Sequence, residues 1–181
     1  MHRWIKQSHQ LTSPRGISTS ALLCLLLLFV SVACAKQYDT EHLYTLGQTA
    51  EIDDWLVTVH SFSILPADQW HQPQESQVLC AVELTLQNNS RQIRYIMPEK
   101  QMMLLDRNNH AYVLDSSASV MAGRLHNWFV PQGGFDAGQK VYGAAAYQVP
   151  ANAQHIRWVF RSGLLPWSGS VTFVLGDLSK Q

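Results

Sequence analysis

The chain has 181 residues, of which 46% are hydrophobic, 14% charged and 10% aromatic, with 13 Lys plus Arg against 13 Asp plus Glu. That composition excludes a disordered chain, which lacks the apolar residues for a core, and a nucleic-acid-binding chain, which needs an excess of positive charge. The apolar residues are unevenly spread: residues 21–33 (ALLCLLLLFVSVA) are almost continuous and follow a segment whose only charges are Arg3, Lys6 and Arg15. A basic stretch, a short greasy run and small residues make an export signal peptide over residues 1–33. A cut there leaves 148 residues with 10 Lys/Arg and 13 Asp/Glu, a net charge of −3 and one domain of ordinary size.

Ser31-Val32-Ala33-Cys34 resembles the lipobox of bacterial lipoproteins, in which the cysteine thiol takes a diacylglycerol and becomes the new N-terminus. The departure is Ser31, where Leu, Val or Ile is usual. Two other readings stay open: ordinary cleavage after Ala33 or Ala35, and an uncleaved anchor helix over residues 17–35, which just reaches the about 20 residues that span a bilayer if Ser18, Thr19 and Ser20 are tolerated. The expectation is lipidation at Cys34, with the membrane as partner through that lipid. No Asp follows the cysteine, which in a bacterium with two membranes resembles the pattern of outer-membrane transfer. Residues 34–45 are polar and mixed and are expected to be a tether. Cys24 leaves with the signal and Cys34 takes the lipid, so Cys80 remains alone in the mature chain, expected as a small buried hydrophobe without a disulfide.

Beyond the tether the period is two. Residues 55–62 are rich in β-branched and aromatic side chains. Residues 78–86 alternate, with Val78, Cys80, Val82, Leu84 and Leu86 on one face of a half-buried strand. Asn88-Asn89-Ser90 supplies a turn. Residues 102–105 and 111–114 flank Asp106-Arg107-Asn108-Asn109-His110 as a hairpin, its Asn pair accepting a positive φ. Residues 141–149 form another strand, whose Gly143 and three alanines predict close approach by a neighbouring strand or sheet. Ile156, Trp158 and Phe160 face away from Arg157 and Arg161, and Val171, Phe173 and Leu175 mark the last strand. Gly133-Gly134 and Gly163 read as turn residues. No 12-residue segment after the signal shows a 3.6-residue apolar period, so the expected fold is all-β, a two-sheet sandwich over residues 46–181.

Five pieces in order carry a resemblance: Tyr44 to Glu51 with its Gly47-Gln48-Thr49, Leu56 to Val59, Val82 to Ser90 with its Asn-Asn-Ser, Leu104 to Tyr112, and Ala137 to Gly143 with Tyr147-Gln148-Val149-Pro150. Together they resemble the telokin-like, immunoglobulin-like domain of secreted bacterial proteins and lipoproteins. Asn109 stands where that family's hairpin usually has Gly, and Ala137 where Pro often precedes Gly138. The resemblance implies an immunoglobulin-like β-sandwich, an extracytoplasmic address and a binding role. It carries over no catalytic residue.

Function is to be argued from sites and not from such a fold. The chain has no Gly-x-Ser-x-Gly, no His-Glu-x-x-His and no phosphate-cradling glycine loop, so no enzyme and no cofactor are expected. Two long connections carry large aromatics: residues 66–73 with Trp70 and His71, and residues 115–134 with Trp128 and Phe129. Trp70, His71, Trp128 and Phe129 are the candidate partner-binding residues, for an envelope protein or a glycan. Six His and four Met in the mature chain leave a copper- or zinc-binding alternative, with Met121 and His126 as its local pair, although neither sits at a recognised ligand spacing. The reading is therefore a non-catalytic, lipid-anchored interaction or accessory module of the bacterial cell envelope.

Overall fold

The computed structural model describes residues 42–67, 72–126 and 129–178; the side chains of Leu125 and His126 lie outside that description. Cys34, Trp70, His71 and Trp128 also lie outside it. In chain order the described elements are β1 (Leu43–Tyr44), β2 (Thr49–Ile52), β3 (Trp55–Ile64), β4 (Gln77–Asn88), β5 (Arg94–Ile96), α1 (Pro98–Gln101), β6 (Met102–Leu105), β7 (Ala111–Val113), α2 (Ser116–His126), β8 (Gly133–Phe135), β9 (Lys140–Pro150), β10 (Ile156–Arg161) and β11 (Ser170–Gly176). Among the described residues no helix is long and apolar enough to cross a membrane.

The fold is a β-sandwich. One sheet has the order β1-β11-β10-β6-β7, the other β2-β3-β4-β9, and β5 pairs with β8 in a two-stranded ribbon. Alternation explains the layers: Val57, Val59, Cys80, Val82, Leu84, Leu86, Ala145, Tyr147 and Val149 point inward from one sheet, and Leu104, Ile156, Trp158, Phe160, Val171 and Phe173 from the other, all in one buried core. The core closes on its largest rings. Trp55 meets Phe135 and Phe160 edge-on at 5.4 and 6.0 Å, and Trp158 donates from Nε1 to the Tyr147 hydroxyl at 2.7 Å, joining β10 to β9 across the sandwich. Cys80 is fully buried and unpaired, and burial pushes its thiol up to about 12, which keeps it protonated and unreactive.

Four sequence expectations are corrected. Residues 115–134 are not one long loop, because α2 occupies residues 116–126. Residues 78–86 are not a half-buried strand: Leu79 and Ala81, on the face opposite Cys80, are buried with Leu65, Ala118, Met121, Ala122, Ala144 and Ala146 in a second apolar cluster beneath α2. The close approach at Gly143 and the alanines comes from this helix and the segment after it, and not from a strand or sheet. A Cβ on Gly143 would lie 2.2 Å from the Phe129 carbonyl oxygen and 2.4 Å from Pro131. Gly133 and Gly134 are strand residues of β8. The hairpin matches its expectation, with β6 and β7 antiparallel and Asn109 at φ 63°.

Candidate functional site

The sequence motifs turn out to hold the sandwich together. Asp106 is buried in the β6–β7 turn, where its carboxylate accepts from the amides of Asn108 (2.8 Å) and His110 (2.9 Å), the His110 ring (3.1 Å) and the Tyr112 hydroxyl (3.0 Å). Burial alone would raise this carboxyl; the hydrogen bonds from His110, Tyr112 and Asn108 together outweigh it and hold the group below the usual carboxylate range. Asn88 is fully buried and donates from Nδ2 to the carbonyls of Gln92, Phe135 and Asp136, while its Oδ1 accepts from Ser90. Its own carbonyl accepts from the Gly138 amide at 2.8 Å, so the Asn-Asn-Ser turn and the Ala-Gly turn are one joint.

Other buried polar groups are committed in the same way. Ser119 accepts from the Ala146 amide (2.8 Å) and donates to the Asp115 carbonyl, covering the outer edge of β9. Gln101 donates to the Arg161 carbonyl and accepts from the Met97 amide. Arg157 donates to Asp106 O and Asn109 Oδ1 and so pins the hairpin turn to β10. An open groove of about 520 Å³ passes Gln74, Gln77, Tyr112, Val113 and Gln148, but the acid on its wall, Asp115, accepts from the Ala118 amide and caps α2.

Of the residues singled out from the sequence, Phe129 and Met121 have described side chains. Phe129 is 73% exposed, its backbone held by the Ala144 amide at 3.3 Å. Met121 is buried among the apolar side chains under α2, where its thioether serves packing. Among the described residues no three His, Cys, Asp or Glu side chains come together as a metal site would require.

A surface that the sequence reading passed over is the β10–β11 connection. Leu164 (55%), Leu165 (53%), Pro166 and Trp167 (68%) are consecutive, apolar and exposed. Their loop is nevertheless fixed at its base. The Ser162 amide donates to the Gly169 carbonyl (2.9 Å), and Ser162 Oγ and the Gly169 amide both donate to Asp53 in the β2–β3 turn. Trp55 Nε1 donates to the Ser162 carbonyl at 3.2 Å. At the tip the Ser168 amide donates to the Leu165 carbonyl (2.9 Å), closing a β-turn with Pro166 at its second position, where the fixed φ of proline fits. Gly169 permits the close approach to β2: a Cβ there would lie 2.5 Å from Ile52. The signal available in the sequence was Leu-Leu-Pro-Trp between two Ser-Gly pairs, a turn without polar content.

More apolar side chains emerge from the same end. Ile93, Tyr95 and Met97 are 55, 69 and 51% exposed, alternating with Arg94, which pairs with Asp54 (3.3 Å), and with buried Ile96. Tyr95 and Ile93 lie over Gly134 of β8, which offers them a flat floor. On the outer face of β3, β4 and β9 a different group is built from polar contacts, with His60 stacked on Tyr142 at 5.6 Å and bonded to Thr85 at 2.6 Å.

Residues 44–171 match the model of a family described as a domain of unknown function (DUF4352). No curated protein matches the chain. Among solved structures it is similar to the yjhA protein of Bacillus subtilis (13% identity, TM-score 0.54, covering 74% of this chain and 99% of that one). A conserved hypothetical protein from Bacillus anthracis is similar at 14% identity and a TM-score of 0.51, covering 71% of this chain and 94% of that one. A candidate lipoprotein of Bacillus subtilis (ycdA) gives 11% identity and a TM-score of 0.54, covering 70% of this chain and 38% of that one. At such identities the likeness is one of fold.

Proposed function

The chain belongs to the DUF4352 family, and from that premise we propose that it is a non-catalytic lipoprotein of the bacterial cell envelope, anchored through Cys34, whose telokin-like, immunoglobulin-like sandwich acts as an interaction module. The observation that carries this reading is the fixed apolar loop at residues 164–167. Four adjacent apolar residues held out from the surface by hydrogen bonds at their base are a docking device, because the cost of ordering a loop has been met before binding. Rigid Trp and Leu side chains supply contact area at low entropic cost.

Two further facts support it. Thr85, Asn88, Gln101, Asp106, Ser119 and Ser162, all buried, are engaged in hydrogen bonds that build the fold. The apolar run before Cys34 has the length and the small residues of an export signal. The similar fold of a protein described as a candidate lipoprotein agrees with that address.

The test is a loop variant in the native host. Leu164→Asp with Leu165→Asp is expected to leave the thermal midpoint within about 1–2 °C, since surface substitutions away from special features cost within about 0.5 kcal/mol. It should at the same time reproduce the phenotype of deleting the gene. Full function in this variant, at unchanged abundance, would contradict the reading.

A further inference from the structure

We propose that Leu164, Leu165 and Trp167 form a bilayer contact site, which seats this end of the sandwich on the lipid surface next to its anchor. The inference rests on the reading that Cys34 carries the lipid. The topology gives the geometry: β1 pairs in parallel with β11, Leu43 lying opposite Thr172, so the chain joins the sheet beside the start of β11. The loop of residues 162–169 leads directly into that start. The end of the molecule that receives the tether is therefore the end that carries the apolar loop.

The length of chain before β1 sets the reach. Eight residues lie between Cys34 and Leu43, and the nine steps from one to the other span, fully extended, at most about 30 Å. The 11 residues of β9 run about 36 Å. The tether is thus no longer than the domain, and it holds the loop in a thin shell above the bilayer, where a short linker gives effective concentrations of about millimolar. A weak contact then suffices to fix orientation.

The chemistry of the loop selects the boundary between headgroups and acyl chains. Trp and Leu are the side chains that bury there, Trp with its ring in the apolar layer and its N–H toward the headgroups. Charges at this end are of both signs: Asp53 and Asp54 in the β2–β3 turn, Glu99 and Lys100 in α1, and Arg91, Arg94 and Arg161 nearby. The contact is accordingly apolar, and it should persist on zwitterionic lipid and in high salt.

The experiment uses the full mature lipoprotein reconstituted into phosphatidylcholine vesicles, with flotation to read anchoring and brominated phosphatidylcholine to quench tryptophans that reach the acyl chains. Quenching should fall when Trp167→Phe removes the reporter. It should fall to the same level in Leu164→Asp with Leu165→Asp, which keeps Trp167. Protein that floats but whose quenching neither variant changes overturns the contact and leaves the anchor standing. Protein that does not float, yet shows Trp167-dependent quenching when mixed with vesicles, supports the contact and removes the anchor. Absence of both removes both. If the double Asp variant instead halves the mass of the detergent-solubilised particle, the loop is an interface between copies and the bilayer contact is wrong.

Discussion

Asp106 shows how one buried side chain organises a turn. One carboxylate gathers the turn amides of Asn108 and His110, the His110 ring and the Tyr112 hydroxyl, while Asn109 takes the positive φ that the turn requires. Asp106→Ala removes the shared charged acceptor of these part-buried hydrogen bonds and should cost about 2–3 kcal/mol, read as a fall in the midpoint of chemical unfolding. The pH dependence has a definite sign. The folded carboxyl titrates below its unfolded value near 3.8, so the unfolded chain takes up the proton first. The stabilisation is complete above that value and is lost as pH falls through the folded one. Wild-type stability should therefore drop in that acid window more steeply than that of Asp106→Asn; parallel curves for the two proteins would show that Asp106 is not held low. The sequence disclosed this residue as part of a hairpin, but not the convergence of Tyr112 and Arg157 on it, which depends on strand register and on the neighbouring β10.

At the scale of elements, the longer strands could be read, while the short strands β1, β2, β5 and β8 and helix α2 could not. Strand alternation survives in the sequence because Val, Leu and Cys on the inner faces are plainly apolar. Helix α2 buries Ala118, Met121 and Ala122, spaced i, i+3 and i+4, against Ala81, Ala144 and Ala146. Alanine facing alanine allows the helix to lie close, yet it barely registers as a hydrophobic period. Asp115, which accepts from the Ala118 amide at 2.9 Å, was the remaining sign of a helix start. The tight seat gives a prediction for Gly143→Ala. Its new Cβ would meet the Phe129 carbonyl at 2.2 Å and the Pro131 ring at 2.4 Å, so the segment following α2 must lift from β9, at about 1–3 kcal/mol. Gly134→Ala is the control, since its Cβ meets the flexible and exposed Tyr95 ring at 3.3 Å. Hydrogen exchange of the Ala144 amide, which donates to the Phe129 carbonyl, should accelerate in the first variant and stay slow in the second; equal exchange in both would contradict the packing described.

Composition, strand period and the residues before Cys34 are local properties, and they made the sandwich and its expected address legible. The exposed loop was not, because Leu164, Leu165 and Trp167 look like core residues until the tertiary structure shows that nothing described lies over them. Burying three such side chains transfers about 1.5–3 kcal/mol each, enough to orient an anchored domain though not to anchor a free one. The parallel pairing of β1 with β11 adds the geometric half, since it ties the tether to the loop's end of the sandwich. On the proposed reading, anchoring and orientation are two parts of one device, of which a lipid at Cys34 would be the first. Its most direct test is the intact mass of the mature protein extracted in detergent from its own envelope. The account predicts a chain that begins at Cys34 and carries a diacylglycerol; an unmodified chain beginning at Cys34 or Lys36, or one retaining residues 1–33, would contradict it.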